Sequence, residues 1–338
     1  LNERELIEEV FTIYFEHEDG EVKRFFVIPK FNIHGEEVAR VLSILSEKYD
    51  VKLKSLRGEL VLELKPHREN YLVNLVLLVL TFISTTFAGS FFQSEFDIRQ
   101  GIMFSLAILF VLGSHEMGHY FASRRFGVKT SLPYFIPFPT IIGTLGAIIK
   151  HRGAIPDRKA LMAIGSAGPI AGVVASIFVA YLGLKFFEVT IPPQEAQIYV
   201  GIPPLFYAVM KLVNYGGNAL HPVAFAGWVG MFVTSLNLIP VGQLDGGHIM
   251  RALIGDKADT VSRFFPFLLL TLGILLGAGG TIWFFWGLIT FFFAMQRHPK
   301  PLKDEPLNAK WKFIGIVTFI LGVACFTPIP FMIPQNLK

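Results

Sequence analysis

Residues 102–120 are apolar almost without interruption, yet the run contains His115-Glu116-Met117-Gly118-His119. Ionisable side chains at membrane depth are costly unless a metal, a partner or a water-filled cavity compensates them, so the fold has to enclose this stretch. Two histidines four residues apart share one face of an α-helix and can grip one metal ion. The glutamate beside the first can serve as base toward water at that metal. A chance match on a buried helix is the alternative, and a third ligand elsewhere in the chain would separate the two.

The rest of the chain reads as a polytopic α-helical membrane protein. With 52% hydrophobic residues and 14% aromatics, and a mean hydropathy of +0.53, 338 residues are too apolar for a soluble globule and enough for several spans. Apolar segments fall at about 71–88, 102–121, 160–184, 222–239, 264–278, 282–295 and 313–326. That pattern gives seven spans, or six if the short fifth and sixth form one re-entrant hairpin about Gly277-Ala278-Gly279-Gly280.

Residues 1–66 read differently, as a small soluble α+β domain. β-rich runs at 10–15 and 22–28 flank a turn at Glu18-Asp19-Gly20-Glu21, a helical pattern covers 36–48, and short strands at 51–53 and 60–64 surround Arg57-Gly58. The domain is either a regulatory or substrate-gating module or a passive extension. The membrane part takes 67–338, with a core over 71–253 and additional helices over 262–330.

Charge gives an orientation. Residues 1–69 carry 11 Lys+Arg against 15 Asp+Glu, leaving 19 against 11 for the remainder. A basic membrane part beside an acidic soluble part points to lipid-facing loops and away from nucleic acid. Arg124, Arg125, Lys129, Lys150, Arg152, Arg158 and Lys159 face only Asp157 in the segment 124–159, which therefore belongs on the cytoplasmic side, or the stromal side in a plastid. This puts the N-terminal domain and the opening of the motif on that side. The loop between spans three and four is charge-balanced and carries Pro192, Pro193, Pro203 and Pro204, as an outer loop does. The charged start has no signal-peptide pattern and no initiator methionine, consistent with a processed start. Cys325 is alone and forms no intramolecular disulfide.

Segment 132–149 is apolar but holds three prolines and two glycines, so it is no ordinary spanning helix. Non-helical backbone at membrane depth requires protein cover or a hydrated cavity, and the segment reads as an embedded β-like hairpin. The best third ligand is Asp245, in Asn237-Leu238-Ile239-Pro240-Val241-Gly242-Gln243-Leu244-Asp245-Gly246-Gly247-His248, where proline and glycines break a helix. Two alternatives stand beside it: Asp245 as N-cap of a helix over 246–254, and His248 as rival ligand. Gly113, Ser114 and Gly118, and the pairs Gly165-x-x-Gly168 and Gly168-x-x-x-Gly172, read first as helix-packing positions.

His115 to His119 and Asn237 to Gly247, on separate segments and in this order, resemble the site-2 protease family of intramembrane zinc metalloproteases over about 71–253. Gly143-Thr144-Leu145-Gly146-Ala147 and Gly165-Ser166-Ala167-Gly168-Pro169 look like the branch with archaeal, cyanobacterial and plant-chloroplast members. The resemblance implies one zinc per chain bound by His115, His119 and Asp245, Glu116 as acid/base, and Asn237 helping to stabilise the oxyanion. It also implies that 143–147 pairs with an extended transmembrane protein substrate. Gly143-x-x-Gly146 departs from the Gly-x-Gly spacing of some bacterial members. A metal-ion transporter, or a membrane scaffold with a closed structural zinc site, are the readings from other classes.

Overall fold

A computed structural model describes residues 2–332, apart from 32, 47, 57, 67–70, 93–94, 153, 188, 190–198 and 296–299. The expected domain boundary after residue 66, Arg57 of the expected turn, and Pro192 and Pro193 therefore abut or lie outside the described residues.

The N-terminal unit opens with a helix the sequence reading omitted, α1 (Glu3–Val10). Its apolar side is only Leu6, Ile7 and Val10, and Asn2 and Glu5 close a capping box at its start. Strands β1 (Phe11–Asp19), β2 (Val22–Pro29), β3 (Tyr49–Leu56) and β4 (Glu59–Pro66) form an antiparallel sheet in the order β1-β2-β4-β3, with α2 (Gly35–Ser46) between β2 and β3. The two helices and the inward strand residues share a core of Ile7, Phe11, Phe25, Val41, Leu62 and Leu64, separate from the core of the membrane part. Ala154 N–H donates to Ser43 Oγ at 2.9 Å, joining the unit to the basic loop.

The membrane part contains α3 (Tyr71–Gly89), α4 (Ile98–Arg125), α5 (Arg158–Phe186), α6 (Pro204–Val213), α7 (Pro222–Asn237), α8 (Asp245–Ile254), α9 (Lys257–Leu275), α10 (Thr281–Ala294) and α11 (Ala309–Ala324). Among the described residues, five helices are long and apolar enough to cross a membrane: α3, α4, α5, α9, and α10 with its preceding turn. Each of the seven expected segments coincides with a helix, but α7 and α11 have 16 residues each, short of a full crossing. Residues 277–280 form a 3-10 turn between two packed helices. The proline-rich loop after α5 holds the unexpected α6. Pro204 takes its first turn, where a missing N–H costs nothing, and Asn214 ends it at φ 52°.

α3 is turned inside out relative to a soluble helix. Its buried residues are Thr81, Thr85, Thr86 and Gly89, while Leu72, Leu75, Leu80, Ile83 and Phe87 point outward. Segment 129–152 folds as nested hairpins. The outer pair is β5 (Lys129–Thr130) with β8 (His151–Arg152), and the inner pair is β6 (Tyr134–Pro137) with β7 (Thr144–Ile148). β6 packs on α3, and β7 also reaches α4.

A charged knot closes the end of the bundle that carries the basic loop. Arg251, 2% exposed, donates to Asp304 at 2.8 Å and lies 3.1 Å from Asp256, and Arg158 also bonds Asp304. Leu302 and Lys303 donate backbone N–H groups to Ile155 and Pro156 at 2.9 and 3.0 Å, pinning the segment before α11 under α5 and α8. The bond from Arg158 holds the Asp304 carboxyl below the usual carboxylate range, against partial burial and with help from Arg251. A depressed folded value means the stabilisation is present above the unfolded pKa of about 4 and lost as pH falls through the lower folded value. Asp304→Asn is expected to cost about 1–3 kcal/mol at pH 7, because Arg251 loses a charged partner, and to flatten the acid limb below about pH 4. Thermal unfolding in detergent across pH checks this; an unchanged midpoint and acid limb would refute it.

Candidate metal centre

α4 carries His115, Glu116 and His119, all buried. The rings fit because α5 has no side chains where they lie. A Cβ on Gly168 would collide with the His119 ring, and one on Gly172 would come within 2.9 Å of His115 Nδ1. Gly118 likewise lets α4 approach the Ala167 carbonyl. The glycine pattern read as packing thus makes the space for two imidazoles. Pro169, inside α5, leaves the Gly165 carbonyl without its helical donor. In the same turn the Ile164 carbonyl accepts a bond from His119 Nδ1 at 2.8 Å, which leaves Nε2 as the ring's acceptor nitrogen.

Asp245 arrives from the break after α7. Gly242 turns the chain at φ 53°, and Gly246 packs so closely on the Leu238 and Ile239 carbonyls that no side chain fits there. Leu244 is the N-cap and Asp245 the first helical residue, so the N-cap reading of Asp245 is corrected. Its carboxylate turns to the histidines instead. His248, one turn on, sets its Cβ beside Gly165 and stands outside the group.

Among the described residues, His115, His119 and Asp245 are the one group of His, Cys, Asp or Glu side chains able to hold a metal ion. The two Nε2 atoms lie 3.1 Å apart, His115 Nε2 is 3.2 Å from Asp245 Oδ2, and His119 Nε2 is 3.3 Å from Asp245 Oδ1. A tetrahedral ion bonded at about 2.0–2.1 Å would set its ligand atoms about 3.3 Å apart. The triangle and its two-nitrogen, one-oxygen donor set therefore fit zinc, with one corner left for water or substrate.

Glu116 is 8% exposed, and the backbone of Ile149, just past β7, faces its carboxylate. Asn237 Nδ2 lies 3.3 Å from His115 Nε2, beside the triangle. The five expected substrate-contact residues divide. Gly143, at φ 75°, presses on the backbone of Ser84 and Thr85. Thr144 is buried, its hydroxyl donating to the Ile136 carbonyl at 2.8 Å and accepting the Gly146 N–H at 2.9 Å. Leu145 is 60% exposed, a Cβ on Gly146 would meet open space, and Ala147 is half-buried opposite Phe135.

Sequence reasoning missed two residues that hold this hairpin. Asn74 Nδ2 donates to the carbonyls of Leu132 at 3.2 Å and Pro133 at 2.9 Å, and Ser84 Oγ donates to Gly143 O at 2.7 Å. The available signal was a polar stripe, Asn74, Thr81, Ser84 and Thr85, on one face of an apolar span.

The model of Peptidase family M50 matches residues 103–277. The probable chloroplastic zinc metalloprotease EGY1 of Arabidopsis thaliana is 32% identical over 66% of this chain and 42% of its own length. EGY2 of Oryza sativa subsp. indica is 30% identical over 70% of this chain and 45% of its own. The probable zinc metallopeptidase EGY3 of Arabidopsis thaliana is 30% identical over 76% and 48%. The chain spans less than half the length of these curated relatives. No solved structure matches it. With the family model covering more than half of its residues, the chain belongs to peptidase family M50, the site-2 protease family.

Proposed function

We propose that the chain is an intramembrane zinc metalloprotease that hydrolyses peptide bonds within or near transmembrane segments of other membrane proteins. The observation that carries this reading is the three-donor triangle with Glu116 beside it and a strand edge next to both. Zinc held by His115, His119 and Asp245, one ion per chain, would polarise the scissile carbonyl and bring the pKa of water toward neutrality.

The remaining work falls to the chain's own side chains. Glu116, which the backbone of Ile149 faces, takes a proton from the attacking water as the oxygen–carbon bond forms. It returns that proton to the nitrogen as the carbon–nitrogen bond breaks, releasing an acid and an amine. Asn237 donates its amide to the carbonyl oxygen as charge develops there. A spanning helix hides its carbonyls in intrahelical bonds, so the substrate is held extended against β7, around Leu145 to Ala147.

The surroundings follow from charge and length. Residues 67–338 form the membrane unit, with seven crossings in which apolar residues flanking the 16-residue α7 and α11 supply the missing length, and 1–66 form a soluble unit. The basic excess over 124–159 supports a cytoplasmic or stromal side for that unit and for the site's opening. The partners are transmembrane substrates and lipid, with no nucleic acid. A single compact ligand cluster among the described residues speaks against a transport path, and its three-ligand form against a closed structural site.

Glu116→Gln is expected to keep stoichiometric zinc and slow cleavage of a membrane-spanning substrate by about a hundredfold or more; wild-type turnover would remove Glu116 from catalysis. Asp245→Ala, and Gly168→Ala through displacement of His119, are each expected to weaken zinc binding about tenfold or more, read by elemental analysis after mild chelation. Full occupancy in either variant would count against the triangle. Leu145→Pro removes a backbone donor from the edge strand and is expected to impair cleavage with zinc and folding intact; unaltered cleavage would sink strand pairing.

A further inference from the structure

We propose that Asn74 and Ser84 of α3 are positioning residues that set the register in which a substrate pairs with β7. This rests on the strand-pairing reading above. The two side chains bond the hairpin from α3, and they grip it at opposite ends. Asn74 holds the Leu132 and Pro133 carbonyls where the chain enters β6, and Ser84 holds the Gly143 carbonyl at the turn. The other hydroxyls of the stripe turn elsewhere: Thr81 bonds Leu77 O, and Thr85 bonds Thr81 O and Ser105 Oγ.

The spacing of the two grips matches the hairpin. Ten helical residues separate Asn74 from Ser84, about 15 Å at 1.5 Å each. The strand from Pro133 to Pro137 covers about 13 Å at 3.3 Å per residue. The hairpin therefore lies along α3 with a hydrogen bond near each end. The positive φ of Gly143 and its close seat on Ser84 and Thr85 fix the turn at one height on the helix.

That height has a chemical consequence, because the distal part of the hairpin meets the catalytic groups. The backbone of Ile149, next after β7, faces Glu116. Sliding the hairpin along α3 would shift the strand edge relative to His115, His119 and Asp245, and with it the substrate bond presented to them. A paired strand that slips by two residues keeps the same face, so a loosened hairpin favours slips of two over slips of one.

The test uses the full chain in lipid vesicles with a single-span model substrate. The cleavage site is read by mass spectrometry of both products, alongside KM, kcat and zinc content. Asn74→Leu and Ser84→Ala are expected to keep one zinc per chain, to raise KM about three- to tenfold for the loss of a hydrogen bond, and to add products displaced by two residues. Asn74→Gln and Ser84→Thr retain the donors and are expected to restore the single site. A merely structural role would change yield or rate but leave the cleavage site fixed. Cleavage only at the wild-type bond in both Asn74→Leu and Ser84→Ala would overturn the proposal; Ser84→Ala is the milder change and keeps the test decisive if Asn74→Leu does not fold. Leu145→Pro separates the layers: if it cleaves normally, the pairing reading fails, and if it is impaired while neither α3 variant shifts the site, only the positioning role fails.

Discussion

The close approach of α4 to α5 is the constraint on which the rest of the molecule depends. Between helices in lipid there is little hydrophobic driving force, so intimate contact has to come from small residues and specific polar bonds. Here Gly118 admits the α5 backbone on one side, and Gly168 and Gly172 leave hollows for the two rings on the other. The bond from His119 to Ile164 O then fixes the direction of a nitrogen. A metal ligand set in an apolar bundle is thus shaped partly by residues that carry no side chain.

Around that contact, polar groups at apolar depth have been given definite partners. Asn74 and Ser84 answer carbonyls at the two ends of the hairpin, and the hydroxyl of Thr144 stitches the turn from within. Asp245 occupies the first turn of α8, where unpaired N–H groups favour negative charge. Irregular backbone and ionisable groups therefore occur in the same region for one reason: each supplies what the other lacks.

Much of this was legible in the sequence where a local rule carries long-range information. A four-residue spacing puts His115 and His119 on one helical face, prolines forbid a helix over 132–149, and the break at Pro240 and Gly242 marks where Asp245 can turn. β-rich runs marked the first two N-terminal strands, and short alternating stretches the last two. What escaped had no such local rule. In α1 only Leu6, Ile7 and Val10 stand out from charged neighbours, and Pro203-Pro204 reads as loop although proline suits a first helical turn. α9 begins at Lys257, seven residues before its apolar run, because its first turn is charged. The inward turn of Thr144 depends on a register shift between Phe135 and Pro137 that alternation cannot foresee. The partners of Asn74 and Ser84 lie 58 and 59 residues away, and a glycine motif does not say what fills the space it leaves.

The charged knot at the end of α8 bears on what counts as a unit of this protein. The family match ends at residue 277, yet the helix that presents Asp245 finishes in Arg251, whose guanidinium is buried and answered from residue 304. All three candidate metal ligands lie upstream of that limit, while part of the charge balance beneath the helix that carries Asp245 lies downstream. The homologous core and the mechanically self-sufficient core are therefore different objects here. The chain after residue 277 acts as a counterweight to a site whose candidate ligands all lie before it.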